Sequence, residues 1–214
     1  GVKIIHECMI GPDVGLHLIK ERQLFPGVEP VSNLAEIEAG RASDRENYAL
    51  SDLILVPSDF ARSAVRNLAS QDANLAMVPY GLNVADFEGI AQPKKGRVLF
   101  VGAVGLRKGN PYLAEAARQL ARSHPWIEVQ VVGKYDLDII SMPAFKGPTY
   151  LGAMPRAQVA EAFQEADVFV LPTIADSFAL VHLEAMAAGV PVITTPHCGS
   201  TVRDGVEGSG RQLQ

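Results

Sequence analysis

From Val98 onward the sequence alternates between short apolar runs and longer amphipathic stretches. Val98-Leu99-Phe100-Val101 leads to Asn110 to Ser123, Ile127 to Val132 to the stretch from Pro155 to Ala166, and Val168 to Leu171 to a segment that ends at Gly189 before Val192-Ile193-Thr194. Runs of this kind predict strands of a parallel sheet, since right-handed helical crossovers deliver each strand beside the last and cover both faces. The predicted fold class is therefore α/β: a Rossmann-like parallel sheet with helices on both faces. Such folds bind ligands beyond the carboxyl ends of their strands, which makes the residues after each apolar run the candidates for function.

The first fifty residues carry weaker signals. Val2 to Ile5 reads as a short strand, Leu16 to Gln23 as a helix, and the segment through Pro26, Gly27 and Pro30 as a turn or linker. From Asp44 the pattern sharpens. A helix from Asp44 to about Leu50 precedes Leu53-Ile54-Leu55-Val56, a strand that reads as buried on both faces and ends at Pro57. Ser58 then caps a helix over Asp59 to Asn67, with an acid in its first turn and Arg66 near its end, and Ala76-Met77-Val78-Pro79-Tyr80-Gly81-Leu82-Asn83 follows. The polar stretch around Pro93-Lys94-Lys95-Gly96 reads as a linker, which places one domain over residues 1–92 and a second over 93–214.

Composition removes several function classes. The chain has 214 residues, 48% of them hydrophobic, and its net charge of −5 offers no basic face for a nucleic acid. The charge-free run from Ala185 to Val202 is broken by Gly189, Pro191 and Pro196, so it does not read as a membrane span. Cys8 and Cys198 lie far apart and form neither a disulfide framework nor a metal spacing; both read as small buried apolar residues in a reducing compartment. The expected location is cytoplasmic, or peripheral at a membrane. The chain opens on Gly1 with no signal-peptide pattern, so an upstream portion is expected to be missing or cut away.

Two strand ends carry chemistry. The first is Gly102-Ala103-Val104-Gly105-Leu106-Arg107-Lys108-Gly109, where glycines between a strand and a helix let backbone N–H groups approach an anion and two cations add positive charge. It matches neither a dinucleotide fingerprint nor a P-loop, and alone it also reads as a glycine turn flanked by solvated basic residues. The second is Asp176-Ser177-Phe178-Ala179-Leu180-Val181-His182-Leu183-Glu184-Ala185-Met186-Ala187-Ala188-Gly189-Val190-Pro191. Ser177 reads as the N-cap of a helix of about three turns, Gly189 as its left-handed exit and Pro191 as its stop. Between Ser177 and Val202 Glu184 is the one charged side chain, set among Leu183, Ala185 and Met186. A carboxylate there either pairs with an arginine of a neighbouring helix or receives the hydroxyls of a ligand whose anionic part meets the N–H groups near Phe178 and Ala179. On a helix that starts at Ser177, Glu184 lies two turns on and on the same face.

The pattern Asp176-x7-Glu184 followed by Ala-Met-Ala-Ala-Gly-Val-Pro-Val-Ile resembles the E-x7-E signature of retaining, nucleotide-sugar-dependent glycosyltransferases of the GT-B fold, the group 1 family. The likeness covers roughly residues 44–208, and Asp176 stands where the family pattern has a glutamate. The resemblance implies transfer of a sugar from a nucleotide diphosphate sugar to a carbohydrate, lipid or small-molecule acceptor, with retained anomeric configuration, no metal and no other cofactor. It makes this chain the donor-binding half plus the end of the acceptor-side domain. By the same resemblance Asp176 contacts the donor sugar, Glu184 the ribose, and the main chain at Ser177, Phe178, Ala179 and Leu180 the sugar or phosphate. Arg107 and Lys108 would hold the diphosphate in a loop shaped by Gly102 and Gly105; Ala103 stands at the usual arginine position, and Arg107 substitutes for it. Met154, in Tyr150-Leu151-Gly152-Ala153-Met154-Pro155, resembles the segment that covers the base, and also reads as core filler. Gly199 and Ser200 match the family's last glycine loop, and His197 reads as a loop histidine.

Two other readings compete. Asp136-Leu137-Asp138 is a D-x-D, the motif with which another glycosyltransferase architecture holds a divalent cation on a diphosphate. A nucleotide-binding module without catalysis is favoured by Ala103 and by Asp176.

Overall fold

The computed structural model describes residues 2–30, 33–87, 91–199 and 211–212. Two compact units divide it. The first holds the chain up to Gly81 together with Ala175–Ala179 and the segment that begins at His197; the second holds Leu82–Ile174 and Leu180–Pro196.

In the first unit three parallel strands, β1 (Ile5–Glu7), β2 (Leu53–Val56) and β3 (Leu75–Met77), lie in that order. The first strand begins later than the sequence suggested, at Ile5. In β2 burial alternates, Ile54 and Val56 being buried while Leu53 and Leu55 are partly covered, so the expectation of a strand buried on both faces is corrected to one that packs mainly one face into the core. Helix α1 covers Val14–Leu24 and α2 covers Leu34–Leu50. The second helix is ten residues longer than the Asp44 start suggested. Asn33 accepts the Glu36 N–H while the Glu36 carboxylate accepts the Asn33 N–H, a capping box that fixes the start despite Gly40 and Ser43 in the interior. Helix α3 (Asp59–Arg66) starts where expected, with Ser58 Oγ accepting the Ala61 N–H.

The second unit is a six-stranded parallel sheet. Its strands are β4 (Arg97–Val101), β5 (Glu128–Val132), β6 (Thr149–Gly152), β7 (Val168–Leu171), β8 (Val192–Thr194) and β9 (Arg211–Gln212), in the spatial order β6-β5-β4-β7-β8-β9. Helix α4 (Asn110–Ser123) spans the predicted residues, and α6 (Arg156–Gln164) lies within its predicted stretch. Sequence reading missed α5 (Leu137–Ser141), the short turn of helix at Pro143–Phe145 and β6. Pro143, Gly147 and Pro148 break the periodicity there. Leu99, Phe100, Val131, Phe169 and Leu171 are fully buried at the sheet centre, and Phe163 joins Phe87 to Phe169. The chain order runs outward from β4 to β5 and β6 on one side, and from β7 to β8 and β9 on the other. The direction of winding therefore reverses between β4 and β7, and a doubly wound sheet has its crevice at that point. No helix among the described residues is long and apolar enough to cross a membrane.

Candidate active site at the β4/β7 crevice

The loop after β4 is fixed from three sides. Gly102 N–H donates to Val132 O at 2.9 Å, Val104 N–H to Lys134 O at 2.9 Å, and Gly105 N–H to Asn110 Oδ1 at 2.9 Å. The loop therefore spends these donors inside the protein, and what Gly102 and Gly105 supply is a backbone path. Gly102 has φ of +152°, and a Cβ at Gly133, on the neighbouring loop after β5, would run into the Gly102 carbonyl. Gly109 caps α4 in the left-handed conformation, φ +72°, with the Pro172 carbonyl where a Cβ would stand. The segment after β7 closes on the same loop: Ile174 N–H and Thr173 Oγ1 both donate to Arg107 O at 2.9 Å. These contacts fix the backbone at Arg107, and the side chains of Arg107 and Lys108 are both partly buried. Asn110, 1% exposed, braces the turn from beneath, a role its place behind Lys108-Gly109 does not signal.

Glu184 comes from helix α7, which follows β7. This helix covers Leu180–Ala187, eight residues and about two turns, so the expected start just after Asp176 is corrected. Ser177 is not its N-cap: Ser177 Oγ accepts the Gly11 N–H at 2.7 Å and Ser177 O accepts Ser58 Oγ–H at 2.6 Å, both in the first unit. With its hydroxyl engaged this way, Ser177 leaves the helix face shared with Glu184, and Phe178 and Ala179 precede the first helical turn. The C-terminus behaves as read: Gly189 has φ +74°, Gly189 N–H donates to Met186 O, and Val190 N–H donates to Ala185 O.

Glu184 is not a solitary carboxylate. Its side chain is 13% exposed, and its Oε1 lies 3.6 Å from Arg156 Nη1, at the start of α6. Burial pushes its carboxyl above the ordinary glutamate range, and the Arg156 charge pulls partly back. Of the two expectations for this carboxylate, pairing with an arginine of a neighbouring helix is therefore the one present; at 3.6 Å the pair is an ion pair without a hydrogen bond. Arg156 went unread because it sits between Pro155 and Ala157 with no periodic signal; its nearness to Met154 was the clue. Met154 itself is half-buried between β6 and α6 rather than in the core.

Asp176, 7% exposed, belongs to the first unit, where its N–H donates to His197 O at 3.0 Å and its carbonyl accepts Gly199 N–H at 2.8 Å. Phe178 packs edge-on against Tyr80, centroids 5.4 Å apart. His197 faces His17 at 6.0 Å, and Ser200 lies outside the described residues. The D-x-D acts as a helix cap, Asp136 Oδ1 accepting the Asp138 N–H at 2.9 Å ahead of α5. Among the described residues no cluster of three or more His, Cys, Asp or Glu side chains is placed to hold a metal ion.

A doubly wound parallel sheet of this order, with a glycine loop after β4 and a short helix after β7, is the architecture of an α/β fold whose ligands sit beyond the carboxyl ends of the strands. Residues 95–212, more than half of the chain, match the glycosyl transferases group 1 family, and the chain belongs to that family. It is 34% identical over 148 residues to the phosphatidyl-myo-inositol mannosyltransferase of Mycolicibacterium smegmatis, covering 64% of this chain and 38% of that protein. To a D-inositol 3-phosphate glycosyltransferase from Arthrobacter it is 35% identical over 111 residues, 47% of this chain and 26% of the relative. The chain thus spans less than half of these relatives. Among solved structures, sucrose-phosphate synthase from Thermosynechococcus elongatus superimposes with a TM-score of 0.69 at 21% identity, over 91% of this chain and 50% of that one. HepE from Anabaena, in complex with UDP-glucose, does so with a TM-score of 0.64 at 13% identity, over 92% of this chain and 54% of HepE. Both share the fold.

Proposed function

We propose that the chain is the donor-binding part of a glycosyltransferase, which moves a sugar from a nucleoside diphosphate sugar to a hydroxyl acceptor with retention of configuration and without a metal ion. The observation that carries the reading is the reversal of winding between β4 and β7, with Arg107 and Lys108 in the glycine loop that follows β4 and Glu184 on α7, the helix that follows β7. A diphosphate needs cations as its leaving charge develops, and a loop already braced by Gly133, Asn110 and Thr173 offers them with little reorganisation. A half-buried carboxylate with open lone pairs suits the vicinal hydroxyls of a ribose. For Asp176, as for the main chain from Ser177 to Leu180, the role rests on the resemblance alone, with the donor sugar as its contact. The first unit, which holds the chain up to Gly81, would be the end of the acceptor-side domain. The named relatives act on inositol-based acceptors, which favours a polyol acceptor for this protein.

The test is incubation of the intact protein with nucleoside diphosphate sugars and polyol acceptors, following nucleoside diphosphate release and the anomeric configuration of the product by NMR. Release with a retained anomer supports the reading; donor binding without release across the acceptor panel makes the chain a nucleotide-binding module.

A further inference from the structure

Arg156 deserves a role of its own, because one guanidinium serves two acids from two elements of the second unit. Its Nε donates to Asp86 Oδ2 at 2.9 Å, while Nη1 stands 3.6 Å from Glu184 Oε1. Asp86 ends a short turn of helix at Val84–Asp86, and its other oxygen accepts Asn83 Nδ2–H at 2.9 Å, so that carboxylate is fixed from both sides. The guanidinium also lies over the ring of Phe87, 4.8 Å from its centroid, and Phe87 is fully buried against Phe163, 5.9 Å away. A cation stacked on a buried ring and hydrogen-bonded to a fixed acid has lost most of its side-chain freedom. Arg156 is therefore a pinned charge. Its distance from Glu184 is too long for a hydrogen bond but within ion-pair range, so it attracts the carboxylate, opposing part of the effect of burial, without occupying its lone pairs.

We propose that Arg156 is the positioning residue of the donor site: anchored by Asp86 and Phe87, it sets the place of the Glu184 carboxylate for the hydroxyls of the nucleoside. The assignment rests on the donor-binding reading above. It adds that the short helical turn ending at Asp86, which lies outside both the glycine loop and α7, tunes how tightly the nucleoside is gripped. Arg156 is the charged group that faces Glu184 among the described residues, with Asp86 reaching it through the same guanidinium.

The experiment is a titration of UDP, GDP and ADP into the intact protein between pH 5 and 8, followed by the best of the three with the variants. Arg156→Gln is expected to weaken binding about tenfold at pH 7, and to move the acid limb of the binding profile to higher pH, since burial alone then sets the ionisation of Glu184. Asp86→Asn weakens binding about threefold by loosening the anchor, and Arg156→Lys, which keeps the charge, retains the wild-type acid limb. Combining Arg156→Gln with Glu184→Gln costs no more than Glu184→Gln alone, because one residue acts through the other. Additive losses, or an acid limb unmoved in Arg156→Gln, overturn the positioning role. If Glu184→Gln weakens binding while Arg156→Gln binds as wild type, this inference fails and the donor reading stands. If the wild type binds none of the three, both fall.

Discussion

Glu184 shows how one residue can be costly to the fold and useful to the site. Its carboxyl is raised by burial, so the folded state holds its proton more tightly than the unfolded chain does. The contribution to stability is therefore largest below the unfolded value near 4.5 and is lost as pH rises through the higher folded value. Ligand binding runs the other way, since only the carboxylate accepts two hydroxyls. Glu184→Gln is expected to raise stability by about 0.5–1 kcal/mol at pH 7 while weakening nucleoside diphosphate binding at least about tenfold, read by thermal melts beside calorimetric titration. Equal or lower stability would mean that Arg156 already offsets the burial. Ser177 shows the reverse case. Its hydroxyl satisfies the buried Gly11 N–H, so Ser177→Ala is expected to cost about 1–3 kcal/mol in denaturant unfolding.

At the scale of elements the glycine loop is a frame. Gly133 and Gly109 leave room for the carbonyls of Gly102 and Pro172, and a side chain at either position must displace backbone. Gly109→Ala and Gly133→Ala are each expected to destabilise by about 3 kcal/mol or more, with Gly40→Ala, inside α2 and with nothing within 4 Å of an added Cβ, neutral or stabilising; chemical denaturation would rank them. These elements also show what was legible. Strands β4, β5, β7 and β8 and helix α4 were readable because their apolar runs and caps agree with their tertiary setting. The first half of α2 was not, since Gly40 and Ser43 weaken a helical pattern that the Asn33–Glu36 box restores. The start of α7 was misread because a serine before an apolar stretch looks like a cap, and only the folded chain shows that its hydroxyl goes to Gly11. In the site, the loop cations and Glu184 were visible by type and spacing. Arg156 was not, because its meaning comes from Asp86 and Phe87, some seventy residues earlier in the chain.

For the whole molecule, the family membership and the doubly wound second sheet carry the account further than composition could. A net charge of −5 leaves the cations at Arg107 and Lys108 as a local feature, so on the proposed function a diphosphate would be met by those two side chains rather than by a basic surface. If they take the place of a metal, EDTA leaves the transferase activity of the intact protein unchanged; its loss on chelation, with recovery on adding Mn²⁺ or Mg²⁺, would return Asp136 and Asp138 to consideration. The most direct test of the donor crevice is a pair of titrations, nucleoside against nucleoside diphosphate, on the wild type, Lys108→Ala and Glu184→Gln. The account predicts that Lys108→Ala weakens the diphosphate about tenfold or more and spares the nucleoside, whereas Glu184→Gln weakens both. Equal losses for both ligands in Lys108→Ala would contradict it.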